Sequence, residues 1–216
     1  MVKMNDEFNR IQGRKKKKIA GQERFKYSKS DYEDLHDLIP IIEKGDYPGC
    51  ELIFYDLRTL LMYRPFDKVW DVGYSDPVFI DDAFYILEVD YGLRLVSLYK
   101  YYPEKEIELI DVLDRDEVNL YNLKVVEYPL HIISQDRENY FHCYYPEKFS
   151  FQLGEGENVV SIVDGKVYVE KWLEGDCPSQ NCRYYHKIIV KDYEGNVLSE
   201  EIGSINDGLD DEWWIS

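Results

Sequence analysis

Apolar and polar residues alternate with period two along much of the chain beyond residue 50, in paired runs joined by short polar breaks. In LVSLYKYYPEKEIELIDVL, Ile107 and Leu109 fall on one side and Glu106 and Glu108 on the other, the spacing of a strand. In NYFHCYYPEKFSFQLGEG, Phe149, Phe151 and Leu153 share a side in the same way. Both pairs of runs flank the same pentapeptide, YYPEK, at 101–105 and at 144–148. Pro-Glu-Lys makes a tight turn because proline presets φ at the first corner, so each copy predicts a β-hairpin. Two looser copies complete the series. ELIFYDLRTLLMY predicts strands over 52–55 and 60–63 around a turn at 56–59, and HKIIVKDYEGNVLSEEI predicts a hairpin bent at 192–196. The four turns lie near 56, 103, 146 and 194, a period of 43 to 48 residues.

Upstream of the last three hairpins lies a further pair of strand-like runs: DPVFIDDAFYILEVD (76–90), NLKVVEYPLHIISQD (122–136) and ENVVSIVDGKVYVEKWL (157–173). The fold class is therefore all-β, with about four antiparallel repeats whose YYPEK-type turn joins the third strand to the fourth. One sheet of this kind cannot bury both faces by itself, so neighbouring units must stack. In LYKYYPEKEIEL, FHCYYPEKFSFQL and IFYDLRTLLMY the chain resembles the broad group of β-propeller repeats, over about residues 50–203. The resemblance implies an architecture of four-stranded blades, here a small ring or an open arc, with two packed sheets of a different β fold as the alternative. It also implies that the YYPEK tyrosines pack between units.

The two ends depart from the repeat. In YSKSDYEDLHDLIPIIEKGDYPG, Ser30 or Asp31 offers a helix cap, and Leu35, Leu38, Ile39 and Ile42 follow at helical spacing until Pro40 interrupts. A short helix is predicted over 31–38. At the other end, Trp213 and Trp214 beside Ile215 predict a final strand that packs against the first unit; the rival reading makes them a binding anchor together with Asp207 and Asp211. The stretch SINDGLDDEWW is also similar to the Asp-box of sialidase-type propellers in Ser204, Asn206 and Gly208. It departs from that box at Asp211, where the family has an aromatic residue.

Charge divides the chain into a basic segment, 1–29, and a single β-repeat domain, 30–216. The segment carries ten Lys or Arg against three acids, including the run at 14–18, within a chain of net charge −17; it is expected as a solvated tail, disordered or partly strand, with contact to RNA, DNA or an anionic membrane surface as the alternative. The acidic remainder repels a phosphate backbone and excludes nucleic-acid binding by the folded body, while it favours a basic protein partner. No stretch reaches the roughly 18 consecutive apolar residues of a membrane span. No apolar core follows the N-terminal charges, so a cytoplasmic protein is expected.

Candidate chemistry is sparse. Cys177 and Cys182 with His186 could hold a metal, with Asp176, Cys143 or His142 as the fourth ligand, or the two thiols could close a hairpin disulfide. The pattern lacks a second Cys pair, so the expectation is no metal and no cofactor. Phosphate loops, dinucleotide fingerprints, H-E-x-x-H and G-x-S-x-G are all absent from the sequence. The carboxylate clusters Asp81-Asp82, 114–117 and 207–212 fit glycoside cleavage in principle, but 43 acids make such clusters commonplace. Two functions follow: a non-catalytic interaction protein, an immunity-type toxin blocker being one form, or a carbohydrate-binding or carbohydrate-processing repeat.

Overall fold

The computed structural model describes residues 15–31, 33–126, 129–175, 184–207 and 213–215, with 205–207 and 213–215 as backbone only. The chain divides into two compact units, 1–125 and 126–216. Four antiparallel sheets carry the fold, each built from strands consecutive in the chain; three pair strictly in chain order, and in the second two successive strands both pair with the one that follows. The first holds β1 (Lys17–Lys18), β2 (Phe25–Lys29), β3 (Leu52–Asp56) and β4 (Met62–Tyr63). The second holds β5 (Val72–Tyr74), β7 (Ala83–Asp90), β8 (Leu95–Tyr102) and β9 (Glu106–Asp114), with β6 (Val78–Ile80) also paired to β7. These two sheets belong to the first unit.

The third sheet holds β10 (Lys124–Val126), in which the division between units falls, then β11 (His131–Gln135), β12 (Tyr140–Tyr145) and β13 (Phe149–Gln152). The fourth holds β14 (Glu157–Val163), β15 (Lys166–Glu174), β16 (Tyr184–Lys191) and β17 (Val197–Ile202). A two-stranded sheet, β18 (Ile205–Asp207) with β19 (Trp213–Ile215), follows. All four predicted hairpins form, as β3–β4, β8–β9, β12–β13 and β16–β17, and each joins the third strand of its sheet to the fourth.

The basic segment is not a solvated tail over 17–29: it supplies the first two strands of the first sheet although it carries no clear alternation, because β2 buries Phe25 and Tyr27 against β3. Lys17 and Lys18 pair with Tyr27 and Lys26, and β2 then pairs along its full length with β3. Residues 30–51 are inserted between β2 and β3, and they hold the expected helix in a different place. Leu35 to Leu38 form turns, and the α-helix α1 runs only over Ile39–Ile42. Pro40 explains the shift: it stands in the first helical turn, where its missing N–H is no loss, so it begins a helix where interruption was expected. The expected caps serve other ends. The Ser30 hydroxyl accepts from the Glu51 amide at 2.8 Å, and Asp31 accepts from the Tyr47 hydroxyl at 2.8 Å, which ties the two ends of the insertion together.

Each unit has its own core. In the first, an aromatic cluster joins the two sheets: Phe54 lies 4.9 Å from Phe84 and 5.2 Å from Tyr101, and Phe84 lies 5.4 Å from Phe25 and 5.1 Å from Phe79. Tyr101, of the first YYPEK copy, thus packs against the neighbouring sheet, as the resemblance implies. In the second unit, Ile133, Phe141, Phe151, Val159, Val167 and Ile189 bury together between the third and fourth sheets. One polar contact recurs: Ser28 with Tyr55 in the first sheet and Ser134 with Tyr144 in the third are both 3.0 Å apart. In each, the serine on the second strand meets a tyrosine two residues beyond its ladder partner.

The two YYPEK copies share burial and differ in backbone. The first tyrosine of each is buried and the second half-buried. Yet Tyr145–Pro146 is a cis peptide, while in the other copy Glu104 takes a left-handed φ of 71°.

Candidate interaction surface

The strongest surface feature is the outer strand of the second sheet. β9 pairs with β8 on one side, through a register that shifts where β9 passes Ile110. Before the shift, Ile107 faces Tyr101 and Leu109 faces Tyr99 across the ladder; after it, Val112 faces Ser97. The bulge therefore keeps Ile107, Leu109 and Val112 on one side of the strand, and Glu106, Glu108 and Asp111 on the other. Without it, Asp111 would fall among the apolar residues. The apolar side chains are not covered: Ile107 is 40%, Leu109 51% and Val112 42% exposed. Across from Glu108, the Lys100 amine lies over the Tyr102 and Tyr85 rings at 5.2 and 5.7 Å.

The outer strand of the fourth sheet repeats the theme. Among the described residues β17 pairs with β16 alone, and its exposed residues combine Val197, Leu198 and Ile202 with Glu200 and Glu201. Glu200 is ion-paired to Lys187 on β16. In the same sheet, Trp172 and Tyr184 stack on each other with centroids 5.2 Å apart, both about half exposed.

A cavity of about 340 Å³ opens in the first unit beside the first YYPEK turn, floored by Phe25, Phe79, Phe84 and Tyr102 and rimmed by Arg24 and Glu104. Arg24 and Glu104 on its rim are tied into one network. Arg24 donates to Asp56 through Nε at 3.0 Å and a terminal nitrogen at 2.5 Å, and the same nitrogen reaches Glu104 at 3.3 Å. Glu104 also accepts from the Tyr63 hydroxyl at 2.5 Å. Asp56 is fully buried, and it accepts further hydrogen bonds from the Arg58 and Thr59 amides. Burial pushes its carboxyl up, but the bonds from Arg24, Arg58 and Thr59 outweigh that and hold it at about 2.

The residues singled out in the sequence are scattered. Trp213 and Trp214 lie on β19, whose backbone pairs with Asp207 and Asn206, so the expected final strand exists and its ladder partner is β18. Asp211, Asp176, Cys177 and Cys182 lie outside the described residues. Of the remaining metal candidates, His186 Nδ1 sits 3.0 Å from Glu170 on the neighbouring strand. His142 is 3.7 Å from Asp136 and stacks between Tyr140 and Tyr144. Cys143 is buried in the core of the second unit, with its thiol pushed up to about 12 by burial. Among the described residues, no group of three or more His, Cys, Asp or Glu side chains could hold a metal ion.

Two of the carboxylate clusters turn out to be turn chemistry. Asp81 and Asp82 take left-handed φ values of 47° and 62° between β6 and β7. Asp114 caps a short 3₁₀ turn at Arg115–Glu117 by accepting from the Asp116 amide at 2.9 Å. The β9 surface had a signal in the sequence, the alternation EIELIDVL. Period two shows that two faces differ; it does not show that the apolar face stays uncovered. Among the described residues, no helix is long and apolar enough to cross a membrane. Compared with known proteins, the chain matches no family model and no curated sequence.

Proposed function

We propose that this chain is a non-catalytic β-repeat protein that binds a protein partner, with its four sheets as propeller-like blades in a small ring or open arc. The observation that carries the binding reading is the make-up of β9, where exposed Ile107, Leu109 and Val112 stand beside Glu106, Glu108 and Asp111 on an outer strand. Apolar side chains grouped on an outer strand are the material of an interface, and carboxylates beside them select a basic partner. A net charge of −17 adds long-range attraction for such a partner. The blade arrangement is supported by four consecutive antiparallel sheets, each of which ends in a hairpin that carries its outer strand. The test is affinity capture with the immobilised chain across a salt series. One dominant basic partner, retained at low salt and released as salt rises, is the expected result. Failure to retain any protein at low salt refutes the reading. A sharp thermal shift with one glycan from a broad panel would replace it with the carbohydrate alternative.

A further inference from the structure

We propose that the outer edge of β9 accepts an extended, basic, amphipathic segment of a partner protein as an added strand of the second sheet. The proposal rests on the partner-binding reading and assigns the surface and the chemistry of the segment that fits it. Among the described residues, β9 is hydrogen-bonded within its sheet to β8 alone. A strand so placed turns alternate N–H and C=O groups outward, which is the template that strand addition uses. Sheets commonly blunt such an edge by keeping it short. The first and third sheets do so: their outer strands β4 and β13 have two and four residues. β9 has nine, a template on the order of 30 Å long.

The side chains specify the occupant. An incoming strand also alternates, so its two sets of side chains continue the two faces of β9. Lys or Arg at every second position would lie beside Glu106, Glu108 and Asp111, and apolar residues between them would extend the surface of Ile107, Leu109 and Val112. Leu113, next on the acidic side, is buried, which places the recognition surface over Glu106 to Val112. A second copy of the chain fits poorly. Two β9 strands laid edge to edge set carboxylates against carboxylates, between bodies that each carry a net charge of −17.

The test uses the full chain and a labelled peptide matching the nine residues of β9, in which lysine alternates with valine or threonine. Binding followed by fluorescence anisotropy should weaken as salt rises, and hydrogen exchange should slow at amides within Glu106–Asp114. Two further peptides carry N-methyl groups on the lysine set or on the valine/threonine set. An added strand uses the amides of one set only, so one peptide should lose about tenfold or more in affinity and the other less than about threefold. The double variant Glu106→Lys, Glu108→Lys alters two exposed side chains and should keep the wild-type circular dichroism. It should bind the lysine peptide at least about tenfold more weakly and gain binding to a glutamate-alternating peptide. Equal loss from both N-methylated peptides, slowed exchange elsewhere than β9, or a dimer that occludes β9 would each overturn the proposal. A captured partner held equally by the wild-type and charge-reversed chains would overturn the β9 assignment and leave partner binding standing. Capture of no partner by either would refute partner binding itself.

Discussion

Replacing Asp56 with asparagine should destabilise the first unit by about 2 kcal/mol at neutral pH, and the cost should fall as the solution is acidified. The magnitude follows from the hydrogen bonds around the carboxylate. Asp56 is fully buried beneath Arg24, with its pKa held at about 2 against an ordinary 3.8. At about 1.4 kcal/mol per pK unit, the folded state favours the ionised form by somewhat over 2 kcal/mol. Arg24 is 40% exposed, so solvent screening trims this figure. Asparagine keeps an oxygen for the Arg58 and Thr59 amides, but it loses the charge and can turn an NH₂ toward the donors of Arg24. The sign of the pH effect follows from the depressed pKa: the contribution is complete above pH 3.8 and drains away as pH falls toward 2. Urea unfolding followed by aromatic fluorescence at pH 7 and pH 3 measures both quantities. The loss belongs to whichever transition reports residues 1–125, because two compact units need not unfold together. A variant within about 0.5 kcal/mol of wild type at pH 7, or a difference that does not shrink at pH 3, would refute this account of Asp56.

Three other outcomes follow. Gly49→Ala should abolish soluble folding or cost more than about 3 kcal/mol, because Gly49 has φ 82° and an added Cβ would lie 1.6 Å from the Val69 carbonyl oxygen; thermal melting decides it. Glu157→Gln should cost about 3–5 kcal/mol in urea unfolding, since Lys191, only 5% exposed and 2.6 Å from that carboxylate, would be left buried beside a neutral group. Cys50 and Cys143, both buried with thiols pushed up to about 11 and about 12, should resist iodoacetamide at pH 8 in the native chain and react on unfolding, as mass spectrometry of the labelled peptides would show.

The repeat was legible because it was written twice over, in alternation and in turn chemistry. Asp192 accepts from the Glu194 and Asn196 amides, and Asp136 from those of Glu138 and Tyr140, so polar breaks between apolar runs mark real corners. The first sheet was half hidden. Its opening strands are lysine-rich, and β2 buries Lys29, whose amine donates to the Tyr74 carbonyl at 2.9 Å. A lysine anchored in this way breaks the apolar pattern that a strand is recognised by. The 22 residues inserted between β2 and β3 hide the period further. They are fitted to the second sheet through Gly73, where an added Cβ would lie 2.8 Å from the Leu38 side chain. That is a tertiary fit with no local signature.

The proposed binding surface was legible in its letters and hidden in its exposure. Glu106 to Leu109 alternate as a core strand would, the alternation resumes after Ile110, and the sequence holds no reason to leave Leu109 uncovered. What leaves it uncovered is position: β9 is the last strand of its sheet, and its apolar side carries three side chains each at least 40% exposed. The bulge at Ile110 argues against an accident of packing. A regular strand would put Asp111 with Leu109, which wets the apolar side and breaks the acidic one, whereas the extra residue restores both. Bulges and charged side chains also blunt an exposed edge, but neither use requires the exposed apolar side chains to be kept together on one side. A segregated edge is what a strand-shaped partner needs, and it makes the position of one bulge residue consequential for recognition. Deleting Ile110, the extra residue, should therefore give a regular β9 in which Ile107, Leu109 and Val112 still share one side and Glu106, Glu108 and Asp111 the other, so the lysine-alternating peptide should still bind; loss of that binding in a variant that keeps its circular dichroism would refute this account of the two faces.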